Sequence, residues 1–263
     1  MSDSTTSLPP AGEPAFAWVY PRVVAHRGGG ALAPENTLAG IRTGAARGLK
    51  MVEFDAKLSA DNVAFLLHDD DVDRTSDGRG PAARMDYAAL ARLDAGSWFG
   101  AAFAGERMPT LGETADACRR AGLAANIEIK PCPGRETLTG EVVARDAARL
   151  WRAHALAPLL SSFSYDALRA ARDAAPALPR GLLFSTLPPD WREQAASLAC
   201  VSLHVDHRVL DEARVRDIKA AGLRILTYTV NDRARARELA AWGVDAICTD
   251  RIDLIDDAFV AGA

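Results

Sequence analysis

Cysteine is scarce and scattered in this chain. Cys118, Cys132, Cys200 and Cys248 are its four cysteines, and no two stand at a C-x-x-C spacing. That pattern argues against a disulfide framework or a zinc site and for free, mostly buried thiols in a reducing compartment, so the cytoplasm is the expected location. Long apolar runs are lacking too. No stretch approaches the length of a transmembrane helix, and membrane insertion is not expected. Nor is there an excess of charge of one sign. Thirty-one Lys and Arg against 35 Asp and Glu leave a net charge of −4. A broad surface for nucleic acid or anionic lipid is thereby excluded, while a local basic pocket is not. The segment from Met1 to Pro10 has neither a basic n-region nor an apolar h-region, so it does not read as a secretory signal. Residues 1–18 read as a disordered leader.

What the chain has is a rhythm. With 263 residues, 49% of them hydrophobic, it can bury one large core. Short apolar runs alternate with amphipathic helical patterns. The runs are Val23–Ala25, Met51–Ala56, Leu123–Ile129, Leu159–Phe163, Gly181–Ser185, Cys200–Val205, Arg224–Val230 and Asp245–Thr249. Helical patterns cover Thr37–Arg47, Leu111–Ala121, Glu136–Ala153, Asp166–Ala174, Asp211–Ala221 and Asp232–Trp242. Asn36 or Thr37 and Asn231 or Asp232 are plausible caps, and Gly48, Gly122, Gly222 and Gly243 are plausible stops. Eight strands in alternation with helices predict an α/β fold, a closed (β/α)₈ TIM barrel over residues 19–263. A doubly wound open sheet is the alternative, but it uses fewer strands and often a glycine-rich dinucleotide loop, which is not found. One region, 59–108, breaks the rhythm. Val63–Leu67 pairs back on the second strand as a hairpin, and a polar loop and a short helix around Tyr87–Leu93 follow. This is a small insertion after strand 2, able to cover the barrel rim.

The second strand carries the strongest chemical signal. Met51-Val52-Glu53-Phe54-Asp55-Ala56 reads as buried, yet it holds two carboxylates. A strand alternates with period two, so Glu53 and Asp55 share a face. Two buried like charges repel and cost desolvation unless a cation sits between them, and a divalent metal with oxygen ligands is the natural solution. The third strand repeats the pattern with Glu128 and Lys130 in Asn126-Ile127-Glu128-Ile129-Lys130. His26 and Arg27 end the first strand, and His68 ends the hairpin strand. Barrel active sites lie at strand C-termini, where all seven residues fall. Singly, each could be structural, and Glu53 and Asp55 could form an ion-pair network with Arg27 and Lys130. Together they are a costly way to stabilise a fold and describe a site for a phosphate ester. Asp69, Asp70 and Asp71 follow His68, but a loop charge run is usually solvated, so they are left out of the metal shell. His154 reads as surface. His204 and His207 flank a strand end and are given no chemistry. Tyr228 and Trp98 or Phe99 could wall the pocket.

These segments lie in an order that resembles the glycerophosphodiester phosphodiesterase family. The matching motifs are His26-Arg27-Gly28, Pro34-Glu35-Asn36-Thr37, Glu53-Phe54-Asp55, His68-Asp69, Asp73-Arg74-Thr75, Pro109-Thr110-Leu111 and Glu128-Ile129-Lys130. Ser162-Phe163 and the closing stretch from Gly243 to Asp250 follow. The resemblance covers nearly the whole chain after the leader and is nearest to the compact cytoplasmic bacterial enzymes. It implies a (β/α)₈ barrel and hydrolysis of glycerophosphodiesters, such as glycerophosphocholine and glycerophosphoethanolamine, to sn-glycerol 3-phosphate and an alcohol. It implies that Glu53, Asp55 and Glu128 bind one divalent cation, that His26 and His68 are the acid/base pair, and that Arg27 and Lys130 contact the phosphate. Oxygen-only ligands favour Mg²⁺ or Ca²⁺. Which histidine is the acid stays open, as does a cyclic phosphate intermediate. The expected partner is a small-molecule substrate, not nucleic acid, with the protein a monomer or homodimer. A related barrel lipase and a phosphodiester-binding barrel without catalysis are the alternatives. The first lacks an obvious apolar anchor, and the second is disfavoured by the full set of histidines and carboxylates.

Overall fold

A computed structural model of the chain describes residues 16–262. Its first half runs β1 (Val23–Ala25), α1 (Leu38–Ala46), β2 (Met51–Leu58), β3 (Ala64–Leu66), α2 (Tyr87–Leu90), α3 (Leu111–Ala121), β4 (Ala124–Ile129) and α4 (Glu136–Leu150). The second half runs β5 (Leu159–Ser162), α5 (Tyr165–Ala174), β6 (Arg180–Phe184), α6 (Trp191–Ser197) and β7 (Ser202–Asp206). It closes with α7 (Glu212–Ala220), β8 (Arg224–Tyr228), α8 (Arg233–Ala241), β9 (Ala246–Thr249) and α9 (Asp257–Ala261).

Eight of the strands pair in parallel around a ring, β1-β2-β4-β5-β6-β7-β8-β9, and β9 returns to β1. This is a closed (β/α)₈ barrel. The ninth strand, β3, is antiparallel to the end of β2, with Lys57 opposite Phe65, as the hairpin reading expects. Strand bounds shift by a residue or two, and α6 and α9 are short helices that the periodicity did not single out. Thr37 and Asp232 cap α1 and α8 by accepting from the third backbone N–H. Gly48, Gly122, Gly222 and Gly243 all adopt positive φ at helix ends, which is what glycine permits there.

Alternation along the strands sorts the core into two layers. Val52, Phe54 and Ala56 of β2 face outward and pack with the helices, Phe54 stacking on Trp151 at 6.4 Å. Inside the barrel, Val24, Met51, Ala124, Leu159, Leu226 and Ala246 form an apolar floor. Residues 1–15 of the expected leader lie outside the described residues. Phe16 and Trp18, also placed in that leader, pack on the floor beside Tyr20. Trp18 meets Tyr20 edge-on at 5.2 Å, and Arg224 Nε donates to the Phe16 carbonyl at 2.7 Å. Between β3 and α3 the chain builds its own small core of Phe65, Leu67, Val72, Leu90 and Met108.

Candidate active site

Barrel closure sets the C-terminal ends of β9, β1, β2 and β4 side by side. Asp55 of β2 stands opposite Glu128 of β4 in register. One carboxylate oxygen from each of Glu53, Asp55 and Glu128 lies within 4.8 Å of the other two, and all three residues are buried. Burial raises the Glu53 carboxyl to about 8, with the charge of Asp55 adding to it. Burial also raises Glu128 to about 7, again with help from Asp55. Asp55 moves the other way. Burial alone would raise it, yet Arg27 and Lys130 hold it below its ordinary value. Two of three carboxyls thus resist ionising, so the cluster is short of positive charge. An oxygen-only donor set of this size and burial fits a hard divalent cation.

The turn after β1 brings the cations in. Arg27 sits at φ 50°, a left-handed conformation uncommon for a non-glycine residue and typical of functional turns. Its backbone N–H donates to Glu53 Oε2 at 3.0 Å. Its guanidinium donates to Glu35 at 2.7 Å and lies 3.6 Å from Asp55. Arg27 Nε is buried and makes no hydrogen bond; it faces Asp55 across that 3.6 Å gap. The turn itself needs glycine: a Cβ on Gly30 (φ 53°) would fall 2.3 Å from the Asp250 carbonyl oxygen. Lys130 Nζ donates to Glu128 at 2.8 Å, approaches Asp55 at 3.7 Å and lies over the Phe163 ring at 5.5 Å.

Both histidines are bonded alike. His26 Nδ1 donates to Asp250 at 2.6 Å, which leaves Nε2 4.0 Å from Glu53. His68 Nδ1 donates to Asp69 at 2.7 Å. Their protonation is biased in opposite directions. Burial would lower His26, but the bond to Asp250 and the charge of Glu53 outweigh it and raise the ring. Burial lowers His68, and Arg27 and Lys130 offset the pull of Asp55. His68, Glu128, Lys130 and Phe163 line one open cleft of about 530 Å³.

All seven predicted residues therefore converge. Several supporting residues were not singled out. Asn36 Nδ2 donates to Asp55 at 2.8 Å, and Asn231 Nδ2 donates to Asp250 at 2.9 Å. These are the two asparagines offered as possible helix caps; the neighbouring Thr37 and Asp232 do the capping instead. Asp250, Asp69, Glu35 and Arg74 complete the surroundings. Their signal was their place inside the quoted motifs. The rest of the histidines sit elsewhere. His204 is fully buried within the barrel wall against Ser202, and burial lowers it to about 3. His154 is not simply surface; it stacks on Trp151 at 5.1 Å. His207 sits in a short turn after β7. Tyr228 meets Phe163 edge-on at 5.8 Å, whereas Trp98 packs on Phe99 and is not among the cleft's lining residues.

Comparison with known proteins agrees with this fold. The family model of the glycerophosphoryl diester phosphodiesterase family matches residues 26–254. The chain belongs to that family. It is accordingly an enzyme, a phosphoric diester hydrolase. A glycerophosphodiester phosphodiesterase of Caldanaerobacter subterraneus is 32% identical over 233 residues, covering 87% of this chain and 93% of that relative. One from Bacillus subtilis is 30% identical over 250 residues, covering 88% and 84%. A solved phosphodiesterase of Oleispira antarctica, in complex with the product sn-glycerol-3-phosphate, is 37% identical with a TM-score of 0.86, covering 93% of this chain and 98% of that one.

Proposed function

We propose that this chain hydrolyses glycerophosphodiesters, such as glycerophosphocholine and glycerophosphoethanolamine, to sn-glycerol 3-phosphate and an alcohol. The observation that carries the reading is the buried Glu53-Asp55-Glu128 cluster flanked by two histidines, each bonded through Nδ1 to a carboxylate. The product held by the Oleispira relative is the fragment such a reaction leaves. In this reading the three carboxylates hold Mg²⁺ or Ca²⁺, which when bound neutralises charge on the phosphoryl oxygens. Arg27 brings its guanidinium charge to the phosphate, and Lys130, already at the cluster, adds a second cation.

The carboxylate partners divide the proton work. Among the described residues, Asp250 pairs with His26 and Asn231 and with no lysine or arginine. Its full charge keeps a proton on His26, which acts as the acid toward the departing alkoxide. Asp69 is already neutralised by Arg74, so His68 stays unprotonated at Nε2 and acts as the base. Residues 19–263 are read as one domain, with 59–108 as its subdomain. The four free cysteines, three of them buried, support a cytoplasmic setting. The working form is read as a monomer or homodimer acting on a small molecule.

A substrate panel tests the proposal. The wild-type protein should release glycerol 3-phosphate from glycerophosphocholine and glycerophosphoethanolamine and spare lysophospholipid. His26→Ala and His68→Ala should each stay folded and lose at least about 10²-fold in turnover. Near wild-type turnover in either variant, or turnover of lysophospholipid alone, would sink it.

A further inference from the structure

Arg74 lies on the loop after β3, at the rim of the site and 46% exposed, and so far it serves only to neutralise Asp69. Its guanidinium is nonetheless almost fully engaged. Nε donates to Asp69 Oδ2 at 2.6 Å and one terminal nitrogen reaches Asp69 Oδ1 at 3.2 Å. The two terminal nitrogens donate to both oxygens of Glu35, at 2.7 and 2.8 Å. Four of the five donors of an arginine are thus spent on two carboxylates, which leaves little for a substrate. The far ends of those carboxylates matter more. Asp69 Oδ1 accepts from His68 Nδ1 at 2.7 Å, and Glu35 Oε1 accepts from Arg27 at 2.7 Å. A continuous chain therefore runs His68–Asp69–Arg74–Glu35–Arg27, joining one proposed proton-transfer group to the proposed phosphate ligand.

The loop that presents Arg74 is itself fixed. Thr75 and Ser76 are buried, Ser76 Oγ donates to the Val72 carbonyl at 2.7 Å, and the Gly80 N–H donates to Asp73 at 2.7 Å. An anchored arginine holding both oxygens of a carboxylate sets where that carboxylate points. A carboxylate on Nδ1 in turn selects the tautomer and ring orientation of a histidine. Among the described residues His26 has no such device; Asp250 is held by the neutral Asn231.

We propose that Arg74 is a positioning residue: it locks Asp69 so that His68 keeps its Nδ1–H tautomer and presents Nε2 to the reaction, and through Glu35 it ties that setting to Arg27. The inference rests on the proposed roles of His68 and Arg27. It also makes a structural statement about the His68 ring that stands without them.

The test pairs side-chain ¹⁵N NMR of the histidines with steady-state kinetics on glycerophosphocholine. A His68→Asn spectrum assigns the ring among the five histidines. Wild-type His68 should show one tautomer, with Nδ1 protonated. In Arg74→Ala the His68 signals should move toward a tautomer mixture, kcat should fall about 10- to 100-fold, and KM should stay within about threefold. Arg74→Lys should recover part of kcat. Asp69→Asn and the Asp69→Asn/Arg74→Ala double variant should match each other, because both lose the same device. An unchanged His68 tautomer in Arg74→Ala, a rise in KM with kcat intact, or additive losses in the double variant would overturn the proposal. A wild-type protein without phosphodiester hydrolysis would overturn the functional reading instead, and the NMR arm would still decide the role of Arg74.

Discussion

Met51 and Glu53 stand two residues apart on β2 and both point into the barrel, yet their surroundings are opposite. Met51 sits on the floor among Val24, Ala124, Leu159 and Leu226, with no polar group required of it. Glu53 sits one layer up among Asp55, Glu128, His26 and Arg27. The floor is ordinary close packing, closed below by Tyr20 and Trp18. The mouth gathers charge that burial penalises. The contrast separates what the barrel needs to fold from what it carries for chemistry. A scaffold built on the floor and the helix layer tolerates an electrostatically poor mouth, as sites placed at strand C-termini require.

Substitution at each residue should break the comparison differently. Met51→Ala leaves a cavity in the floor and should cost about 2–5 kcal/mol of unfolding free energy, while kcat per folded molecule stays within about twofold. Urea unfolding and active-site-normalised kinetics check both halves. A large loss of kcat would mean that the floor and the mouth are not separable. Glu53→Gln should act the other way in metal-free protein. The Glu53 carboxyl lies at about 8 in the fold against 4.5 ordinarily, so between those values the folded state holds a proton that the unfolded chain has released. Folding stability should therefore fall as pH rises from about 4.5 to about 8. Removing the titrating group should reduce that slope by up to about 1.4 kcal/mol per pH unit. Urea midpoints with chelator at the two ends of the window measure it. Equal slopes in the two proteins would show that Glu53 is not the strained group.

The same contrast decides how much the sequence discloses. Strands and helices were legible because apolar periodicity records burial, and burial built them. Glu53, Asp55 and Glu128 were legible because a carboxylate inside an apolar strand violates that periodicity. His26, Arg27, His68 and Lys130 followed from their positions at strand ends. What could not be read was the pairing. His26 meets Asp250 across 224 positions because closing the barrel lays β9 beside β1, and no local pattern encodes that contact. The Glu35-Arg74-Asp69 chain was hidden for a similar reason, since loop charges look solvated until a fold brings them together. Phe16 and Trp18 lie in a short apolar run between Pro14 and Pro21 that is too brief to show a period, and the bottom of the barrel gives them a place to bury.

The account turns on the cluster at the mouth being a cation site that serves hydrolysis. The most direct test is the rate of glycerol 3-phosphate release from glycerophosphocholine by wild-type protein after exhaustive chelation and again after adding Mg²⁺ or Ca²⁺. The account predicts that chelation abolishes release and that one of the two ions restores it. Full activity in the chelated protein would contradict it.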